Sequence, residues 1–522
     1  MTTPESVPAA ANASAADPSA ATASTAHIRG SWLLVAGRLA NVVLDFGIQV
    51  TLVRYLSTSD YGAFAYGLSV VSLLATVSVL GLDRAVGRYL PIYDEQNQSG
   101  KAAGTWLVSS VVVLAVGVVL ALLVGTTLPL LGDSVVADPT ARTLVLILVL
   151  MTPLNALAAI TRQVLATFAS PRLILFRSYL LSPILEVLLV VGVVVSGAGV
   201  EALAVGWVVV IAISSAVSTA LVLRIMRQRG LLGGTRRVGR DLPVRSLFSF
   251  GLPLFGSSLV VQLRLTGAVI LLEALRDTTA VALFRAAVPV ARQTQILFET
   301  FQLLFTPLAA RLYARGDRIG LNDAYWQTTL WIAVFSFPIF AVAFAFPEPL
   351  IVLLFGDRYR DMAPALALLT VGFYVNAALG FNALLLRILG RVRFTVAVDV
   401  TSTLAGLGIG YPLILLFGAT GAAIAVSATL LAQNLAYQFG LHQEPGLKAI
   451  DLRYLPVYAV LIGGSGLLWL IGWTAHPQLL AASALTAVVG LAVFLACRRY
   501  LRVGDIFPEL RRIPLARWVV GA

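Results

Sequence analysis

Charged side chains are scarce in this sequence: Asp, Glu, Lys and Arg make up 12% of it, against about 25% in soluble domains. Cysteine is nearly absent, because Cys497 stands alone, which excludes a disulfide within the chain and a zinc site built from several cysteines. The three histidines, His27, His442 and His476, are far apart, so we expect no metal site. Hydrophobic residues account for 59% of the chain. This composition excludes an ordinary soluble domain and predicts a membrane protein.

Apolar runs long enough to cross a bilayer recur along nearly the whole chain. They predict an all-α polytopic membrane protein with about fourteen transmembrane helices, because a transmembrane β-barrel would show short alternating segments instead. The predicted spans, whose ends are good to a few residues, are 31–54, 61–82, 104–131, 142–168, 173–196, 201–224, 246–272, 279–306, 324–346, 363–386, 394–417, 420–440, 455–473 and 478–497. The connections are too short for a catalytic ectodomain.

The net charge of +12 is explained by where the basic residues lie. Of the 37 Lys and Arg, 27 fall in the tails and even-numbered connections, 5 in odd-numbered connections and 5 inside spans. Cytoplasmic loops carry the excess of Lys and Arg. We therefore expect a plasma-membrane protein with both termini in the cytoplasm, and no nucleic-acid partner.

Landmarks in the chain recur about 220 residues apart. Tyr93 corresponds to Tyr313, and Trp106 to Trp326. Six spans separate the copies, so the copies have the same orientation, as in transporters with parallel repeats. We expect a disordered cytoplasmic tail at 1–30, an N-lobe at 31–224, a basic cytoplasmic linker at 225–245, a six-helix C-lobe at 246–442, a helical hairpin at 443–497 and a basic cytoplasmic tail at 498–522.

A polar stripe runs along the eighth span. Arg285, Arg292 and Glu299 are seven residues apart, a spacing that returns to within about 20° of the same helix face, and Gln295 lies beside them. Facing lipid, such a stripe would be costly, so it marks a polar pathway inside a bundle. We predict that these residues line a lumen.

The first span carries a matching stripe of Arg38, Asn41, Asp45 and Gln49. In the fourth and seventh spans, Arg162 and Arg264 each follow a polar residue by one heptad. The other interior acids are Glu186 and Asp399. The alternative is that these charges pair across helices and only hold the bundle together.

The interior arginines predict an anionic cargo, since the guanidinium fork donates two parallel hydrogen bonds to phosphate. We predict that Arg38, Arg264, Arg285 and Arg292 bind the substrate. Asp45 and Asp399, the latter with Thr403 one turn further on, are candidates for coupling transport to a proton or sodium gradient. We expect no other cofactor, no metal and no catalytic residues.

Three segments carry a family resemblance: Arg54–Tyr93 (RYLSTSDYGAFAYGLSVVSLLATVSVLGLDRAVGRYLPIY), Phe305–Asp317 (FTPLAARLYARGD) and Leu384–Phe394 (LLLRILGRVRF). With them the chain resembles the polysaccharide-repeat flippases, or O-antigen translocase type, of the MOP superfamily, which also contains lipid II flippases and MATE exporters. The resemblance implies two lobes that alternate between inward and outward states. It also implies that Arg38, Arg264, Arg285 and Arg292 face the lumen.

The cargo implied by this resemblance is a polyprenyl-phosphate or polyprenyl-diphosphate oligosaccharide, moved to the outer leaflet for surface glycan assembly. Membrane lipid and polysaccharide assembly enzymes are then the expected partners. The extra helix pair is similar to that of the lipid II flippases, where it helps to shape a groove for the lipid tail. Two alternatives stay open: a MATE-like exporter coupled to cations, and a membrane glycosyltransferase or polymerase.

Overall fold

The computed structural model describes residue 37 and residues 40–131, 136–231 and 242–502. Arg38, one of the predicted substrate-binding residues, lies outside them, as do the two predicted tails for almost their whole length. Every regular element within the described ranges is helical, which confirms the predicted all-α class.

The N-terminal half contains nine helices in the described part of the chain. They are α1 (40–55), α2 (Thr58–Val79), α3 (Leu82–Glu95), α4 (Ser99–Leu131), α5 (Pro139–Leu148), α6 (Met151–Phe168), α7 (Pro171–Leu175), α8 (Ser182–Ser196) and α9 (Val200–Gln228). A π-helical turn, Phe176–Leu181, joins α7 to α8.

The C-terminal half continues after the undescribed residues 232–241. Its helices are α10 (Val244–Leu275), α11 (Thr278–Arg292), α12 (Gln295–Ala314), α13 (Arg318–Ala345), α14 (Pro347–Phe355), α15 (Ala363–Ala378), α16 (Asn382–Ile388), α17 (Val392–His442), α18 (Leu455–Ala475) and α19 (Leu479–Leu501).

Ten helices in the described ranges are long and apolar enough to cross a membrane, and the bent pair α5 and α6 makes an eleventh span. One of the ten, α17, has 51 residues and would be about 77 Å long if straight, more than twice the hydrocarbon thickness. Its backbone is non-helical at Gly418 (φ 55°, ψ −128°), where the two predicted spans 394–417 and 420–440 meet. The predicted eighth span is divided between α11 and α12. The count of fourteen therefore stays a prediction.

The repeat is visible in where helices begin. α2 starts at Thr58 and α11 at Thr278, 220 residues apart. Both starts are capped by a side chain: Ser57 accepts from the Asp60 amide at 3.0 Å, and Asp277 accepts from the Ala280 amide at 2.7 Å. Such caps satisfy amides that have no partner inside the helix. The same local chemistry thus starts the second helix of each lobe.

The two lobes approach closely where glycine replaces a side chain. A Cβ at Gly62 of α2 would lie 1.8 Å from the carbonyl oxygen of Thr278, and one at Gly81 would lie 2.2 Å from that of Gly251. Small residues let membrane helices pack backbone to backbone. Helix α2 therefore packs against α11 at its first turns and against α10 beyond its last, and it forms much of the boundary between the lobes.

The last helix pair is attached to α13. The amide of Gln327 and the indole N–H of Trp331 donate to the carbonyl of Leu501, at 2.6 and 3.0 Å, and satisfy the end of α19. In the connection before α18, hydrogen bonds from Arg453 hold the pKa of the Asp451 carboxyl below its usual value, and Arg453 also pairs with Asp323 at 3.0 Å. The pair is thus fixed to the C-terminal half at two points.

Candidate functional site

A polar cavity of about 400 Å³ lies at the lobe boundary, and we call it the central cavity. Its walls come from α1, α2, the π-helical turn, α8, α9 and α11. Its charged and amide side chains are Asn41, Asp45, Gln49, Arg177, Glu186 and Arg285. Four of these, Asn41, Asp45, Gln49 and Arg285, come from the two stripes predicted from the sequence.

The polar stripe predicted in the first span lies on α1, along one wall of the central cavity, because its three described members are four residues apart. The Asn41 amide donates to the Asp45 carboxylate at 2.7 Å. The Gln49 amide donates to the Tyr61 hydroxyl at 3.0 Å and to the carbonyl of Arg285 at 3.3 Å. Since Arg285 belongs to the other lobe, Gln49 links the lobes at the end of the cavity that the sequence predicts to be the outer one.

The polar stripe predicted along the eighth span is split between α11 and α12 beyond Arg285. That residue lines the central cavity, whereas Arg292, one heptad later, is exposed at the end of α11. The chain turns at residues 293–294, so Gln295 and Glu299 belong to α12. The Gln295 amide donates to the carbonyl of Phe373 at 3.4 Å, within the C-terminal lobe.

Arg177 is the cavity residue that sequence reasoning missed, because we counted it among the 27 basic residues of the tails and even-numbered connections although it falls within the predicted span 173–196. The structure corrects this: Arg177 lies in the apolar segment Leu173–Ser196 and lines the central cavity. The π-helical turn at Phe176–Leu181 adds a residue to the helix, which shifts the register and hides any heptad relation. No sequence pattern that we used would have identified it.

The charges on the cavity wall balance formally. Arg177 and Arg285 stand against Asp45 and Glu186, whereas the sequence led us to expect an excess of arginine. Protonation of either acid would leave the wall net positive. The cavity can therefore change its preference for anions when an acid gains or loses a proton.

A second cavity of about 510 Å³ lies next to the first, and Leu68 lines both. It lies between α2, α3, α6 and α10, toward the end that the sequence predicts to be cytoplasmic. Its polar walls include Arg84, Asn155, Arg162 and Gln262. Arg162, predicted to line the lumen, is thus placed in this second cavity.

Arg264 faces a polar network inside the C-terminal lobe. Its guanidinium donates to Gln433 at 2.7 Å, and the Gln433 amide donates to the Asp399 carboxylate. Tyr437 donates to the same carboxylate at 2.6 Å, and Arg387 pairs with it at 3.4 Å. Asp399 is therefore held by three side chains.

Thr403, one turn beyond Asp399, is buried and its hydroxyl has no partner among the described residues. It lines a gap of about 30 Å³ together with Arg264 and Thr429, room for about one water molecule. Within the described ranges, no group of three or more His, Cys, Asp or Glu residues is placed to hold a metal ion.

The predicted outer end of the lobe boundary is closed by two arginines that we call the outer latch. Arg54, at the end of α1, donates to the carbonyls of Leu354 at 2.8 Å and of Leu353. Arg358 donates in return to the carbonyls of Val53 and Arg54, both at 2.6 Å. Each guanidinium thus satisfies the last carbonyls of a helix in the opposite lobe.

Comparison with known proteins gives one family and several solved folds. Residues 28–301 match the family model described as polysaccharide biosynthesis protein. An uncharacterized membrane protein of Methanocaldococcus jannaschii is 23% identical over 420 residues, which cover 76% of this chain and 79% of that protein.

Two solved transporters share the architecture. The lipid II flippase MurJ, in an inward closed conformation, has a TM-score of 0.68 at 15% identity and covers 92% of this chain and 99% of its own. An inward-facing MATE multidrug resistance transporter of the MOP superfamily has a TM-score of 0.65 at 15% identity, with 76% and 93% covered. These likenesses confirm the predicted MATE-like, all-α membrane fold.

Proposed function

The chain belongs to the polysaccharide biosynthesis protein family, and from this premise we propose that it flips a polyprenyl-phosphate or polyprenyl-diphosphate oligosaccharide to the outer leaflet. The family and the fold are those of membrane flippases and transporters. The observation that carries the proposal is the lobe boundary: polar cavities run along it, and the outer latch closes one end. That is the geometry expected of an inward-facing state in alternating access.

The proposed cargo fits the size and chemistry of the cavities. Cavities of about 400 and 510 Å³ are in the range of ligand sites, and they suffice for a phosphate group with its first sugars. Arg285 supplies a fork suited to phosphate. We propose Arg285 and the exposed Arg292 as cargo contacts, with Arg162 lining the path from the cytoplasm.

We propose that the lipid tail of the cargo occupies an apolar groove between α13, α15 and α18. The groove encloses about 480 Å³ and is lined by aromatic side chains that include Tyr374, Tyr458 and Trp469. The two tyrosine hydroxyls donate to backbone carbonyls, of Ala333 at 2.9 Å and of Ala378 at 3.4 Å, so the groove presents their apolar ring faces.

For energy coupling, the contacts favour Asp45 over Asp399 with Thr403. Asp45 is exposed to the central cavity and accepts one hydrogen bond, from Asn41. Asp399 is already held by three side chains. A proton or sodium ion at Asp45 would shift the wall charge toward positive and so favour an anionic cargo.

We therefore expect Asp45→Asn to transport at a rate that no longer depends on the proton or sodium gradient, because the side chain has lost its ionisable group. Asp399→Asn should keep the gradient dependence and lower thermal stability instead. Transport measured with and without the gradient tests both variants. If Asp45→Asn keeps full gradient dependence while Asp399→Asn loses it, the assignment is reversed.

Export of cationic drugs is the second candidate function, favoured by the two acids on the cavity wall and by the MATE-like fold. Deletion followed by lipid extraction separates the candidates. If the protein is a flippase for lipid-linked glycans, the deletion strain accumulates polyprenyl-linked oligosaccharide on the cytoplasmic leaflet and loses surface glycan. Intact surface glycan together with new drug sensitivity would favour the exporter. Loss of the lipid-linked precursor would indicate a role in synthesis and contradict both.

A further inference from the structure

A buried glutamate lies near the end of α10, at the boundary between the lobes. Glu273 is 7% exposed, and its Oε2 has no hydrogen-bond partner in the described part of the chain. It follows the predicted seventh span, 246–272, by one residue, at the end that the sequence predicts to face outward. Arg276, one turn further on, donates instead to the carbonyls of Ile414 and Leu415. Such a position requires an explanation, because a buried carboxylate without a partner is costly.

The titratable groups around Glu273 increase this cost. Asp138, at the start of α5, and Asp277, in the connection to α11, both place negative charge near it. From α2, Tyr66 is its titratable neighbour. Helix α17 also packs against α10 and adds no charged neighbour, and no basic residue of the described ranges acts on Glu273. A carboxyl group that is kept from water among like charges retains its proton.

The surroundings of Glu273 also join the two lobes. Thr278 of α11 donates to the Asp138 carboxylate at 3.2 Å and lies 3.0 Å from the Ser59 hydroxyl of α2. Beside this contact, a Cβ at Gly62 would lie 1.8 Å from the Thr278 carbonyl oxygen, so the lobes meet backbone to backbone. Asp138 belongs to the N-lobe and Glu273 to the C-lobe. Separation of the lobes at this end therefore moves Asp138 away from Glu273 and lets water reach the carboxyl group.

We propose that Glu273 is a proton-binding site that controls the opening of the lobes toward the outside. Closed lobes favour the neutral acid and separated lobes favour the ionised one, so the bound proton stabilises the closed state. Rising external pH removes the proton, and the charge on Glu273 then repels Asp138 across the boundary. The proton enters and leaves on the outer side, so this site sets the balance between states and is distinct from the coupling proposed for Asp45. The inference concerns the movement of the lobes and holds for either a glycan or a drug as cargo.

The distance between spin labels at Ser196 and Asp361, both exposed near the predicted outer end, tests the site in the full chain. The protein is placed in phosphatidylcholine nanodiscs without cargo. From about pH 8 to about pH 5 we expect the ratio of closed to open molecules to rise roughly 10-fold, because that ratio changes tenfold for each pH unit over which the closed state holds one more proton. Glu273→Gln, in which an amide replaces the protonated acid, should stay closed over the whole range.

Glu201→Gln is the matched control, because it makes the same change at an exposed acid in the first turn of α9, at the same predicted end. It should leave the pH response within about 2-fold, since an exposed carboxyl group binds its proton equally well in both states. Asp138→Asn is the second variant, and asparagine can still cap α5. Its response should be weaker and should move to lower pH, because the loss of a like charge makes Glu273 easier to ionise.

Loss of the pH response in Glu273→Gln, with Glu201→Gln unchanged, supports the proton site. A wild-type distance that does not change with pH overturns it, as does a response that Glu273→Gln retains or that Glu201→Gln abolishes equally. If Glu273→Gln does not fold, an unchanged response in Asp138→Asn overturns the proposal instead. The site and the proposed function fail in different experiments: a flippase whose label distance ignores pH refutes the site alone, and a deletion strain with intact surface glycan refutes the flippase alone.

Discussion

Arg285→Ala is expected to abolish glycan export while the protein stays at its normal level in the membrane. Arg285 is the cation that the C-lobe contributes to the central cavity. Its guanidinium donates to no acceptor among the described residues, so replacing it with alanine would leave no protein acceptor unpaired. Losing its hydrogen bonds to a phosphate should slow transport by roughly 100-fold. We expect the same from Arg292→Ala, because Arg292 is exposed one heptad further along the same helix.

The measurement is surface glycan at matched protein level, with Arg285→Lys as the control that retains charge but not the fork. We expect the lysine variant to be intermediate. Normal export by both alanine variants at normal protein level would refute the assignment of this wall as the cargo site.

Removal of the outer latch is expected to shift the protein toward an outward-open state. In Arg54→Ala/Arg358→Ala the four contacts to carbonyls of the opposite lobe are lost. Both arginines are exposed, so we expect a loss of about 2 kcal/mol, a factor of roughly 30 in the equilibrium between the two states. Spin labels at Ser196 and Asp361, both exposed near the outer end, should report a longer distance.

The chain offers a matched control for the latch in Arg276. It donates to the carbonyls of Ile414 at 3.1 Å and of Leu415, the same kind of contact within one lobe. Arg276→Ala should lower thermal stability and leave the label distance unchanged. An unchanged distance in the double variant, or an equal shift in Arg276→Ala, would contradict a gating role for Arg54 and Arg358.

The stripes were predictable because helical periodicity places residues seven or four apart on one face. Asn41, Asp45 and Gln49 lie together on the central cavity for this reason, and Arg285 faces them from the repeat. Periodicity within one helix cannot say which neighbour a face meets. Arg264 follows the same pattern, yet Gln433 of α17 draws it into the C-terminal lobe.

Other residues left no pattern to detect. Arg177 depends on a π-helical turn, which breaks the regular spacing on which the prediction relied. Arg54 and Arg358 bind backbone carbonyls across the lobe boundary, and backbone acceptors leave no trace in sequence. Their one signal was their presence among the five basic residues of the odd-numbered connections, where Arg276 is also found.

Reconstitution tests the central claim most directly. Proteoliposomes are loaded with a fluorescent short-chain polyprenyl-diphosphate oligosaccharide, and its accessibility to a membrane-impermeant quencher is followed over time. The account predicts that wild-type protein speeds the exchange between leaflets well above that of protein-free liposomes, and that Arg285→Ala lowers it to that background. Exchange at the protein-free rate with folded wild-type protein, or equal rates for wild type and Arg285→Ala, would contradict it.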